Sequence, residues 1–129
     1  MVTYIDSSVV LAYLLGEPRV PSASFRDAAP VSSRLLEHEV WNRIHARQLT
    51  GLCGGGPRDL LAGMELVEMT AAVLARALEP FPVPVRTLDA LHLAASEFLR
   101  GQGESVALAS YDNRLLDAAR ALGISISVL

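Results

Sequence analysis

The sequence predicts an α/β fold, a small parallel β-sheet flanked by helices, and three observations carry that reading. Strand-like and helix-like segments alternate from end to end, the pattern of strands joined by crossover helices. Several strand candidates, Val106-Ala107-Leu108-Ala109 among them, are continuous apolar runs rather than alternating ones, as burial on both faces requires. The 129 residues, 51% of them apolar, suit one unit with a sizeable core, so 1–129 is read as a single domain.

Each element follows in order. A strand over Val2 to Ile5 leads through Asp6 and Ser7 into a helix from Ser8 to Leu15, stopped by Gly16-Glu17-Pro18. A helical pattern covers Val20 to Ala28, and the strand Pro30 to Ser32 precedes a longer helix from Ser33 to Leu49. Gly54-Gly55-Gly56-Pro57 reads as a plain turn, because it lacks the Lys-Ser or Lys-Thr of a phosphate-binding loop. Helix Arg58 to Gly63, strand Glu65 to Met69 and helix Thr70 to Leu78 come next, the last ended by Pro80, Pro82 and Pro84. Helix Thr87 to Arg100, strand Ser105 to Ser110, helix Asn113 to Leu122 and strand Ser125 to Leu129 complete the chain, with Gly123 as a C-terminal cap.

Composition excludes several function classes. The formal net charge is -3, which argues against a broad basic grip on nucleic acid but is compatible with local arginine patches. All 11 basic residues are arginines, and the lack of lysine counts against lysine-dependent phosphoryl transfer. The longest apolar runs, Val9 to Leu15 and Leu88 to Ala95, fall well short of the roughly 20 residues of a bilayer span. The N-terminus carries no signal-peptide pattern, and a cytoplasmic protein without membrane contact is expected. The single Cys53 has no internal disulfide partner and reads as an incidental loop thiol.

Four carboxylates mark the candidate site. Asp6 ends the first strand and would point into the strand-edge crevice where open α/β sheets bind ligands; helix capping by Asp6, Ser7 or Ser8 is the structural alternative, worth about 1 kcal/mol. Glu39 falls by helical phase inside the arc of Leu35, Leu36, Val40 and Ile44, and a carboxylate there needs a cation or hydrogen-bond donors. Its structural alternative is an i,i+4 pair with Arg43, and a one-turn phase error would exchange it with Glu37. Asp89 opens an apolar helix, where the helix dipole alone could explain it. Asp112 could cap the last long helix, and Asp117, a turn further on, is a reserve candidate. His92, three residues after Asp89, is read as hydrogen-bonded core and left outside the site. Four such acids at about 5 Å, with an effective dielectric of about 20, would repel by on the order of 3 kcal/mol per pair. A divalent cation resolves that conflict, and oxygen-only ligands favour magnesium or manganese over zinc.

The segments Tyr4-Ile5-Asp6-Ser7-Ser8, Ser33 with Glu39-Val40-Trp41-Asn42-Arg43, Arg86-Thr87-Leu88-Asp89-Ala90-Leu91-His92-Leu93-Ala94 and Ser110-Tyr111-Asp112-Asn113-Arg114-Leu115 occur in this order. With them, nearly the whole chain resembles a PIN-domain ribonuclease, specifically a VapC-type toxin of a type II toxin-antitoxin pair. The resemblance implies a PIN-like three-layer fold and a magnesium-dependent endoribonuclease, with Mn2+ a possible substitute, that cleaves RNA phosphodiesters by metal-activated water. It carries Asp6, Glu39, Asp89 and Asp112 over as catalytic acids, with Asp6 and Asp89 the principal metal ligands and Glu39 and Asp112 acting directly or through water. Ser7 and Ser110 stand where the family often has hydroxyls; Ser110 replaces a more frequent threonine. A homodimer and inhibition by a cognate VapB-type antitoxin are likewise implied, and Arg43 and Arg86 are the arginines nearest the motifs for RNA phosphates.

Other classes fit less well. A haloacid-dehalogenase-type enzyme would need an aspartate where Ser8 stands, and that family and phospho-accepting receiver modules both rely on an absent lysine. A catalytically inactive binding module of the same fold, using its acids for caps and salt bridges, is the alternative that the residues leave open.

Overall fold

The computed structural model describes residues 1–16, 18, 19, 21, 29–48 and 55–129. Its elements are β1 (Val2–Ile5), α1 (Ser7–Leu15), β2 (Val31–Ser33), α2 (Arg34–Ala46), α3 (Gly55–Ala62), β3 (Glu65–Val67), α4 (Ala71–Ala77), α5 (Thr87–Gly101), β4 (Val106–Ala109), α6 (Asn113–Ala121) and β5 (Ser125–Ile126). The strands form one sheet in the order β3-β2-β1-β4-β5, and each pairing is parallel. β1 is central, aligned with β4 from Val2↔Val106 to Ile5↔Ala109. The chain winds outward from β1 through β2 to β3, then crosses back to lay β4 on the other side of β1. The order therefore reverses between β1 and β4, and the crevice at their carboxyl ends is the place where such a sheet receives a ligand.

Alternation along the strands divides the core. Tyr4 and Leu108 belong to one cluster, with Leu93 of α5 and Leu115 of α6. Ile5 and Ala109 belong to the other, with Val9 and Val10 of α1, Leu36 and Val40 of α2, and Leu60 and Leu61 of α3. Both faces of the central strands are thus covered, which is why β4 is apolar without interruption and buried throughout.

Most element limits agree with the sequence reading to within a residue or two. β2 ends at Ser33 rather than Ser32, because Ser33 is still extended and aligned with Val67. β3 stops at Val67 and β5 at Ile126, shorter than expected. The Gly-Pro segment is corrected further: Gly55, Gly56 and Pro57 already belong to α3 rather than to a turn, and proline suits the first turn of a helix, where its missing N–H is not needed. Gly16 adopts the left-handed conformation at φ 63 and its N–H bonds the Ala12 carbonyl, and Gly123, at φ 75, ends α6 as expected. The helix expected over Val20 to Ala28 and the Cys53 loop lie outside the described residues. Among the described residues no helix is long and apolar enough to cross a membrane.

Candidate active site

Asp6, Glu39, Asp89 and Asp112 line one cavity of about 810 Å³, although they are scattered over the sequence and come from different elements. Asp6 follows β1 and is 6% exposed. It occupies the N-cap position of α1, yet its side chain makes no capping bond. Instead Ser8 Oγ donates to Oδ1 at 2.6 Å and Ser110 Oγ donates to Oδ2 at 2.9 Å. Each hydroxyl is itself oriented by an N–H, from Tyr111 to Ser8 and from Asp112 to Ser110, both at 2.9 Å. The hydroxyl that reaches Asp6 from α1 is therefore that of Ser8, not Ser7. Burial pushes the Asp6 carboxyl above the usual carboxylate range, and the negative charge of Glu39 adds to this, against the pull of the two hydroxyls.

Glu39 sits where its helical phase puts it, on the side of α2 that buries Leu36, Val40 and Ile44. Its Oε1 lies 2.6 Å from His92 Nε2, and among the described residues it forms no ion pair with Arg43. Glu37 is bonded to Arg34 at 2.9 Å and does not line the cavity. His92 corrects the sequence reading in one respect. It is indeed hydrogen-bonded and buried, but it also lines the cavity and joins Glu39 to the Tyr4 hydroxyl, 2.6 Å from Nδ1. Its spacing of three from Asp89, which places both on one side of α5, was the available signal.

Asp89 is 8% exposed. Its Oδ2 is buried with no hydrogen-bond partner among the described residues. Burial, then the negative charge of Asp112, raises its carboxyl pKa. Asp112 does cap α6, as the sequence allowed: Oδ1 accepts from the N–H groups of Arg114 at 3.0 Å and Leu115 at 3.4 Å. Capping and lining the cavity coexist in this one residue. Asp117 is paired with Arg120 at 3.1 Å and stands outside the cavity.

Arg43 and Arg86 line the same cavity, joined by Arg19, whose guanidinium lies 4.7 Å from the centre of the Tyr111 ring. Arg19 was not singled out from sequence, where nothing local ties it to the acids, and Tyr111 stood there only as a member of the segment carrying Asp112, with no role of its own. The cavity thus presents carboxylates flanked by arginines, an arrangement suited to a cation and a phosphate together. Among the described residues no three His, Cys, Asp or Glu side chains form a ready-made metal cluster.

A model of the PIN domain matches residues 3–121, a span that includes all four acids. The chain belongs to the PIN-domain family. Its relatives include ribonuclease VapC46 of Mycobacterium tuberculosis, 33% identical over 95% of this chain and 94% of that protein. Ribonuclease VapC47 of the same species is 32% identical over 93% of this chain and 91% of its own length. Ribonuclease VapC35, also from that species, is 34% identical over 74% of this chain and 70% of its own. These likenesses make the chain a VapC-type PIN domain, and its parallel sheet between two helical layers is the fold expected of one.

Proposed function

We propose that this PIN domain is a magnesium-dependent endoribonuclease and the toxin of a VapBC-type toxin-antitoxin pair. The observation that carries the reading is the convergence of Asp6, Glu39, Asp89 and Asp112 on one arginine-flanked cavity, in a chain whose relatives are ribonucleases by name.

The residues fit a hard divalent cation. The donors are carboxylate oxygens, and the buried Asp89 Oδ2 has no hydrogen-bond partner among the described residues. The Asp6 and Asp89 carboxyls are both held above their ordinary range, a condition that a nearby cation reverses. Magnesium keeps several of its waters and is commonly held by one or two carboxylates together with substrate phosphate, so a preformed cluster of three side chains is not required. Asp6 and Asp89 would hold it, and Mn2+ would substitute.

Such an ion, when bound, neutralises charge on the scissile phosphate and makes a water more acidic. The chain's own residues do the rest. Arg19, Arg43 and Arg86 draw the RNA backbone into the cavity through phosphate contacts. Ser8 and Ser110 keep both Asp6 oxygens oriented. Glu39 and Asp112 orient the attacking water, Glu39 serving as the proton acceptor, for in-line attack on the phosphodiester. The VapB-type antitoxin would inhibit by occupying this groove, and the active unit would be a homodimer.

The test is cleavage of RNA by the purified chain, with Mg2+ and with chelator, beside Asp6→Asn and Asp89→Asn. We expect Mg2+-dependent cleavage that both substitutions abolish while circular dichroism shows folded protein. Undiminished cleavage in both folded variants would overturn the site.

A further inference from the structure

We infer that His92, backed by Tyr4, is a positioning residue that holds the Glu39 carboxylate toward the cavity; the inference rests on the ribonuclease reading above and deepens it.

The geometry is a three-membered chain from the core to the cavity. Tyr4 is fully buried and His92 is 2% exposed. An ionised Glu39 only accepts, so His92 Nε2 carries the proton and donates across 2.6 Å. In the neutral ring Nδ1 then accepts, and the Tyr4 hydroxyl donates to it across 2.6 Å. The Tyr4 ring also meets the imidazole edge-on, with centroids 5.7 Å apart and planes at 75°. Both nitrogens of a buried imidazole are thereby satisfied, and the ring is fixed in position and tautomer.

The anchors of this chain are the elements that carry the proposed ligands. Tyr4 lies on β1, two residues before Asp6, and His92 lies on α5, one turn after Asp89. Glu39 comes from α2, which packs in the opposite core cluster. α2 packs against Ile5 of β1 through Leu36 and Val40, but among the described residues the Glu39 carboxylate itself is hydrogen-bonded to a ligand-bearing element only through His92. Arg43, four residues on and lining the same cavity, is then a ready alternative partner. In the intact chain, turning Glu39 to Arg43 would strand a buried Nε2–H, so the hydrogen bond selects the conformation that faces the other acids.

The test compares His92→Leu, His92→Gln, Tyr4→Phe, Glu39→Gln and the His92→Leu/Glu39→Gln double variant, in RNA cleavage kinetics and in calorimetric titration with Mn2+ alone. Supporting-residue losses around metal sites typically run about 10–100-fold. We expect His92→Leu to lower kcat by that order with KM nearly unchanged, and to weaken Mn2+ binding. His92→Gln, whose amide donates to Glu39, should recover part of both, and Tyr4→Phe should show a smaller loss in the same direction. Added to Glu39→Gln, the His92→Leu change should do little more, because the carboxylate it holds is already gone. If His92→Leu does not fold, His92→Gln and Tyr4→Phe carry the same comparison. Wild-type kcat and Mn2+ affinity in the folded His92 variants, beside an inactive Asp6→Asn, would overturn this inference alone. A full additional loss on the Glu39→Gln background would overturn it too, since His92 would then act through something else. Cleavage that survives in Asp6→Asn and Asp89→Asn would overturn the parent reading and this inference with it.

Discussion

Asp89 stands against its own electrostatic preference. The first turn of α5 attracts its charge by about 0.3–1 kcal/mol through the helix dipole, but burial and the facing Asp112 outweigh that attraction and raise its pKa. A carboxyl with a folded pKa above its unfolded one holds its proton more readily in the native chain. Stability from this group therefore falls as pH rises from about 3.9 through the raised value, and the penalty is complete above it. Asp89→Asn, neutral throughout, should melt above the wild type at pH 7 in chelator. The gap should close as the pH is lowered through the raised value toward the ordinary carboxylate range. Calorimetric melts across that window check this, and a variant that melts no higher at pH 7 would contradict the burial argument. Saturating Mg2+ should then stabilise the wild type far more than the variant, because an ion bound only by the native state raises its stability.

The helices show how one residue can serve both packing and site. Asp112 caps α6 with Oδ1 and also lines the cavity. Asparagine caps as well as aspartate, whereas alanine costs about 0.5–2 kcal/mol. Asp112→Asn should keep the melting temperature and lose cleavage rate, while Asp112→Ala should lose both. Melting curves and kinetics on the pair separate the two roles, and equal, wild-type rates in both would remove Asp112 from the site. At this scale much was legible in the sequence. Strand ends located Asp6 and Asp112, and helical phase located Glu39, because periodicity reports which side of an element is buried. Element limits were less so: Gly55 and Gly56 read as turn residues but begin α3, where the packing of Leu60 and Leu61 overrides weak local propensity.

Across the whole molecule, the sheet order brings the site together. The reversal between β1 and β4 sets Asp6 beside the segment carrying Ser110 and Asp112, and α2 and α5 bring Glu39 and Asp89 from opposite core clusters. The contacts that escaped sequence reasoning are those made only by this folding. Tyr4 and His92 are 88 residues apart, and Glu39 and His92 are 53 apart; no local pattern announces that Arg19 meets Tyr111 at the cavity. The central claim is that the four carboxylates form one divalent-cation site. Anomalous scattering from crystals soaked in Mn2+ tests it most directly. The expected result is manganese density in the cavity at the Asp6 and Asp89 carboxylates, absent from Asp6→Asn crystals treated alike; at saturating Mn2+, density elsewhere only, or none, would contradict the claim.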